Sequence, residues 1–155
     1  MVQNGSPQGL TAGGMVAAIL LFSLISGCAE RGPHRVPVTG RITYQGRPVP
    51  DGWVSFTRLG ELPQGVPSRP ATGELDQDGR YSMKTFGDDD GVMPGEYAVA
   101  VVAIDYERAK AARGPGQPQP YTIPQRYTRP ETSGLTVTIP EEASGALEFN
   151  FDLVD

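Results

Sequence analysis

Cysteine and histidine are the side chains that most often serve as nucleophile or base, and this sequence has one of each, Cys28 and His34. His34 lies in a short polar stretch, 29–35, that indicates a linker, so we expect a solvated imidazole with no nucleophile held beside it. No Ser-His-Asp, Cys-His or His-Glu-x-x-His arrangement occurs. A carboxylate pair acting as acid and base stays open, because folding can bring together any two of the 18 acidic residues. We therefore expect a protein that is not an enzyme.

The residues before Cys28 indicate what its thiol does. Residues 15–25 form an apolar run, which at about 1.5 Å per residue spans about half of a ~30 Å hydrocarbon core and suits a signal peptide. Ser26 and Gly27 are small, as a cleavage site requires. A lone cysteine in an exported protein is either free or chemically used. The sequence Leu24–Cys28 resembles a bacterial lipobox, in which the leader is cut and lipid is attached to the cysteine.

This resemblance implies an organisation for the whole chain. Residues 1–27 are a lipoprotein signal peptide, although they lack the usual Lys or Arg. Residues 28–35 are the lipidated N-terminus and linker, and residues 36–155 are the folded domain. Cys28 would carry a diacylglyceryl group and a further acyl chain such as palmitate, which holds a protein stably. The expected location is the bacterial cell envelope, at the outer membrane or facing the periplasm, since Ala29 rather than Asp follows the cysteine.

Composition narrows the classes of partner. The formal net charge is −5, which argues against nucleic acid and anionic lipid surfaces, because both need clustered Lys and Arg. Residues 28–155 suit one domain, large enough to fold without a metal, a disulfide or another cofactor. A content of 20 Gly and 15 Pro favours short strands separated by turns over long helices.

Alternation of apolar and polar residues predicts strands in most of the domain. Trp53 has opposite parity to Val54 and Phe56, so its side chain should point away from the core. Phe149 and Phe151 share parity with Leu147 and Leu153, which predicts a core position for them. The seven predicted strands are 36–44, 53–58, 71–75, 80–86, 96–104, 135–139 and 146–153. They favour an all-β, seven-stranded antiparallel sandwich, with a barrel as the alternative, and leave 106–134 as a long irregular region with two helical turns at 107–113.

Three stretches carry a further resemblance: Val38–Val49, Ala71–Tyr81 and Pro94–Tyr97. They resemble carboxypeptidase regulatory-like domains, which are transthyretin-like β-sandwich modules of bacterial envelope lipoproteins. In carboxypeptidases such a module accompanies the catalytic domain and has no active site of its own. A related sandwich family forms a Lys–Asn crosslink; here Asn150 is on the last strand, but the first strand carries Arg41 instead of a lysine, so we expect no crosslink.

Two sets of side chains are candidates for ligand binding. Trp53, with Tyr106, Tyr121 and Tyr127 from the long loop, could stack on sugars, but the favoured interpretation is that the loop covers Trp53 as a satellite cluster. The aspartates in 76–79 and 88–90 could bind calcium, but Asp and Gly are also what turns use, and the turn interpretation is favoured. The resulting prediction is a non-enzymatic, lipid-anchored structural or protein-interaction module. The alternative is a carbohydrate-binding module, and the partner is an envelope protein or a glycan.

Overall fold

Two β-sheets dominate the part of the chain that the computed structural model describes, residues 33–111, 114 and 116–155. These sheets confirm the predicted β-sandwich over the barrel. The strands are β1 (Val38–Tyr44), β2 (Arg47–Pro48), β3 (Gly52–Arg58), β4 (Ala71–Glu74), β5 (Arg80–Ser82), β6 (Gly95–Ala103), β7 (Leu135–Ile139) and β8 (Leu147–Leu153). The helices are α1 (Tyr106–Ala111), a 3₁₀ turn (Gln125–Thr128) and α2 (Pro130–Ser133). All seven predicted strands are present, and β2 is an addition.

In the first sheet β1 is central, with β8 along one side and β5 and β2 along the other. The second sheet has the order β4-β3-β6-β7, and its pairs are all antiparallel. The prediction of an entirely antiparallel sandwich is wrong at one pair, because β8 runs parallel to β1 along its full length. The chain changes sheets between β7 and β8, so β8 meets β1 as a long-range partner rather than across a hairpin.

The core lies between the sheets and is centred on Phe56, which is fully buried. Its ring makes aromatic contacts with Tyr81, Tyr97 and Phe149, at centroid distances of 6.5, 6.2 and 6.4 Å. These three residues come from β5, β6 and β8, so Phe56 joins both sheets.

The strand β6 is buried on both faces, as its double apolar pattern predicts. Part of the predicted irregular region explains the second buried face. The helix α2 and the 3₁₀ turn pack against β6, and Ile123 and Tyr127 of that region belong to the core. The long region is therefore partly ordered by core packing rather than wholly irregular.

The prediction that Phe149 and Phe151 are core residues is only partly correct. Both are half-buried and pack against the core, whereas Leu153 of the same strand is fully buried. The reason is that β8 is an edge strand with β1 as its one strand partner in the described residues.

Among the described residues, no helix is long and apolar enough to cross a membrane.

Candidate functional site

An open depression of about 520 Å³ lies at one edge of the second sheet. Trp53 of β3 and Tyr106 of α1 both line it, so the structure brings together two of the four predicted aromatic ligand residues. The remaining lining residues are Asp51 and Gly52, at the turn and start of β3, and Thr72, Gly73, Glu74 and Leu75, in β4 and directly after it.

The turn before β3 sets the position of Trp53. Asp51 takes a positive φ of 56° in this turn. Gly52 is needed beside it because a Cβ at this position would lie 2.4 Å from the carbonyl oxygen of Val102. Gln77 donates a hydrogen bond from Nε2 to Oδ1 of Asp51 at 3.0 Å, which fastens the turn to the neighbouring β4–β5 connection.

The side chain of Trp53 points away from the core, as its parity predicts, and 38% of its surface is exposed. It faces Glu74 on β4 and Val102 on β6 in the strand register. The described residues of the long loop leave it exposed, so the favoured interpretation of a covered satellite cluster is wrong for this residue.

Tyr106 is positioned by the start of α1 and is half exposed. The carboxylate of Asp105 accepts a hydrogen bond from the N–H of Arg108 at 3.0 Å, as an N-cap does. The N–H of Asp105 in turn donates to the carbonyl of Pro120, which fixes the start of the helix to the returning chain. Local capping, rather than core packing, therefore holds Tyr106 at the depression.

The other two predicted tyrosines lie elsewhere. Tyr121 is half-buried and pairs with Ile104 in an isolated β-bridge. Tyr127 is in the core, where its hydroxyl donates to the carbonyl of Val154 and accepts from the N–H of the same residue. The prediction of Tyr127 as a ligand residue is wrong, because both its ring and its hydroxyl are occupied by the protein.

The chemistry available at the depression is recognition. Two aromatic side chains offer apolar faces for stacking, and the carboxylates of Asp51 and Glu74 are acceptors for hydroxyl or amine donors. Glu74 also lies 3.9 Å from the ammonium of Lys84, with both side chains well exposed. The parity of the sequence predicted that Trp53 points outward. The positions of Tyr106, Asp51 and Glu74 around it depend on the pairing of distant strands, which no local sequence pattern reveals.

In each of the two aspartate clusters, one carboxylate binds the neighbouring backbone. Asp76 accepts from the N–H groups of Asp78 and Arg80, and Asp90 accepts from those of Thr85, Phe86 and Gly87. These contacts agree with the turn interpretation. The strand β5 ends at Ser82, earlier than predicted. In the described part of the chain, no three His, Cys, Asp or Glu side chains are grouped to hold a metal.

Nε2 of His34 donates to the carbonyl of Ala143 at 3.0 Å, so this exposed imidazole is tethered to the domain rather than freely solvated. Cys28, the predicted lipid attachment site, and the signal peptide 1–27 lie outside the described residues.

No protein-family model and no curated protein matches this chain. Among solved structures, it is similar to a DUF3823 family protein from Parabacteroides merdae ATCC 43184, with 17% identity, a TM-score of 0.37, and coverage of 78% of this chain and 46% of that one. A 9R-lipoxygenase from Cyanothece PCC8801 shares 15% identity at a TM-score of 0.36, over 78% of this chain and 16% of the enzyme. The dioxygenase domain of a dioxygenase carbohydrate-binding protein fusion from Streptomyces sp. SirexAA-E shares 21% identity at a TM-score of 0.34. This similarity covers 80% of this chain and 82% of that domain.

Proposed function

We propose that this protein is a non-enzymatic interaction module of the bacterial cell envelope, held at the membrane by lipid on Cys28. The observation that supports it is the sequence Leu24–Cys28, an apolar run ending in two small residues and the one cysteine of the chain. Only residues 29–35 separate this cysteine from Val36, the first residue of the sandwich, which bridges Val92. The resemblance to carboxypeptidase regulatory-like domains, modules without an active site, agrees with a role in interaction.

Mass spectrometry of the membrane fraction tests the anchor. We expect a protein that begins at Cys28 and carries the mass of a diacylglyceryl group plus a further acyl chain. Cys28→Ser should remove the lipid and leave an unprocessed chain, while Ser26→Ala, which keeps a small residue before the cysteine, should be processed normally. An unmodified wild-type chain that retains residues 1–27 would contradict the proposal.

Carbohydrate binding at the depression of Trp53 and Tyr106 is a second candidate function. The observation that favours it is that these exposed aromatic side chains line one open depression together with two carboxylates. Aromatic faces stack on the apolar faces of sugar rings, and carboxylates accept hydrogen bonds from sugar hydroxyls.

Retention of the full-length protein on purified envelope glycans tests this candidate. Trp53→Ala and Tyr106→Ala should each abolish retention. Phe86→Ala is the matched control, because Phe86 is another exposed aromatic residue, at 36%, and lies outside the depression. Equal retention of all four proteins would reject the glycan site and leave the anchoring proposal unaffected.

A further inference from the structure

We propose that the free edge of β8 is a docking site for an extended polypeptide segment in which basic side chains alternate with apolar ones. The segment would add a strand to the first sheet beside β8. The proposal deepens the interaction role proposed above by naming the surface and the class of partner.

The backbone of β8 has hydrogen-bonding groups available on that side. The N–H of Leu147 donates to Pro37, and the carbonyl of Leu153 accepts from Gln45, both on the β1 side. In a parallel pair, alternate residues direct both backbone groups at the partner strand. The odd-numbered residues of β8 therefore face β1, and the N–H and C=O groups of Glu148, Asn150 and Asp152 point to the free edge. Among the described residues no strand pairs there.

The apolar face of β8 is incompletely covered. Leu147, Phe149 and Phe151 point towards the core but are only half-buried. A strand added at the edge would place its own inward side chains beside these residues, and burial of apolar area would contribute to affinity. This requires apolar residues at alternate positions of the partner.

The opposite face of β8 specifies charge. One row of exposed side chains runs along this face: Glu148, Asn150 and Asp152. Asn150 is in register with Arg41 of β1, and Arg41 is in turn in register with Arg80 of β5. The acidic row thus has basic residues to one side, at β1 and β5, and an open position on the other. Opposite charges on neighbouring strands stabilise a pair, so basic residues fit the open position.

The same row disfavours a second copy of this chain. A symmetric pair of β8 edges must be antiparallel, and if it is centred on Asn150, Glu148 of one copy lies opposite Asp152 of the other. Like charges directly opposite destabilise a strand pair. Edge strands with charged side chains avoid self-association in this way while staying open to a complementary partner.

A titration of the full-length protein with synthetic peptides tests the proposal. The probe is a seven-residue peptide of alternating Lys and Val, and the comparison is a peptide of alternating Glu and Val. We expect the Lys peptide to bind at least about tenfold more tightly, because each opposite-charge pair adds favourable energy and each like-charge pair opposes binding. Amide hydrogen exchange should slow at Glu148, Asn150 and Asp152 when the Lys peptide is bound.

Asn150→Pro separates edge pairing from mere charge attraction. Its N–H faces the free edge, so proline removes no bond to β1 but blocks strand addition, and edge strands tolerate proline there. We expect at least about a tenfold loss of Lys-peptide binding with the thermal melt close to wild type. If this variant fails to fold, a Lys peptide N-methylated at alternate residues gives the same comparison on the wild-type protein.

Glu148→Lys should also weaken binding severalfold, while Glu61→Lys, an equal change of net charge at an exposed position outside β8, should not. The proposal is overturned if the Lys peptide fails to bind, if Asn150→Pro and N-methylation leave binding unchanged, or if wild-type protein forms a dimer that Asn150→Pro abolishes. None of these outcomes depends on lipid at Cys28 or on the aromatic depression, so they leave the proposed anchor and glycan site standing.

Discussion

The hydroxyl of Tyr81 on β5 donates a 2.6 Å hydrogen bond to the carbonyl oxygen of Phe149 on β8. The two residues are on opposite sides of β1, and both are in register with Gly40. A Cβ at Gly40 would lie 1.8 Å from that carbonyl oxygen and 2.6 Å from the hydroxyl. The missing side chain of Gly40 therefore lets a core tyrosine reach across the central strand and join three strands of the first sheet.

Gly40→Ala should destabilise the domain strongly. The added methyl group meets a backbone oxygen, which cannot move without separating β1 from β8. Overpacking of a core typically costs about 1–3 kcal/mol, and we expect a loss at or above the upper end of this range in urea denaturation.

Gly145→Ala is the control for this substitution. A Cβ at Gly145 meets no atom within 4 Å, so the same change in chain entropy occurs there without a clash. Equal unfolding midpoints for the two variants would mean that Tyr81 does not cross β1 at Gly40.

Tyr81→Phe should change how stability depends on alkaline pH. Burial, and then the charge of Glu148, raise the pKa of Tyr81 above its usual value. Because the folded pKa is raised, the unfolded chain loses this proton first as pH rises above its pKa of about 10. The contribution of Tyr81 to the free energy of unfolding is therefore full below about pH 10 and falls as pH rises further. The variant should lose about 0.5–1.5 kcal/mol at pH 7 from the hydrogen bond.

The check is denaturant unfolding of both proteins from pH 8 to 11. Tyr97, whose pKa is raised mainly by burial, and Tyr44, whose pKa is raised mainly by its hydrogen bond to Asp155, are present in both proteins. The difference between the proteins therefore isolates Tyr81. Wild type should decline more steeply than Tyr81→Phe above pH 10, and parallel curves would contradict the assignment.

The sequence predicted the strands because alternation is a local signal that burial imposes on every half-buried strand. It correctly placed Trp53 outward and Leu153 inward for this reason. The joining of Tyr81 to Phe149 and of Trp53 to Tyr106 depends on which distant strands and helices lie side by side. Alternation also does not state whether a strand is central or at an edge, and this is why the burial of Phe151 was overestimated.

Phe56→Ala should cost more stability than Phe151→Ala. Phe56 is fully buried among three aromatic rings, so truncation should cost about 3–5 kcal/mol. Phe151 is half-buried at an edge, where water can fill the space, so we expect about 1–2 kcal/mol, part of the transfer energy of a whole side chain. Thermal or urea unfolding measures both, and equal losses would mean that β8 is covered in solution.

Asp90→Ala should destabilise the domain, whereas Asp88→Ala, two residues away in the same acidic run, should have little effect. The carboxylate of Asp90 accepts three backbone hydrogen bonds and lies 3.3 Å from the guanidinium of Arg35, and its side chain is only 14% exposed. Hydrogen bonds to a charged group are worth about 1.5–3 kcal/mol, so loss of the acceptor should cost at least about that much.

The stability difference between wild type and Asp90→Ala should depend on pH, because the Asp90 carboxyl group titrates. Burial alone would raise the pKa of Asp90, but the hydrogen bonds from Thr85, Phe86 and Gly87 and the charge of Arg35 outweigh it and lower the pKa. A lowered pKa stabilises the fold above the unfolded value of about 3.9, and the contribution is lost as pH falls through the folded pKa. The stability gap between wild type and Asp90→Ala should therefore be full at pH 7 and shrink below pH 4.

Thermal melts of the wild-type protein in calcium and in EDTA should coincide, because the backbone and Arg35 already occupy the Asp90 carboxylate. A shift of several degrees would instead indicate a cation at 88–90.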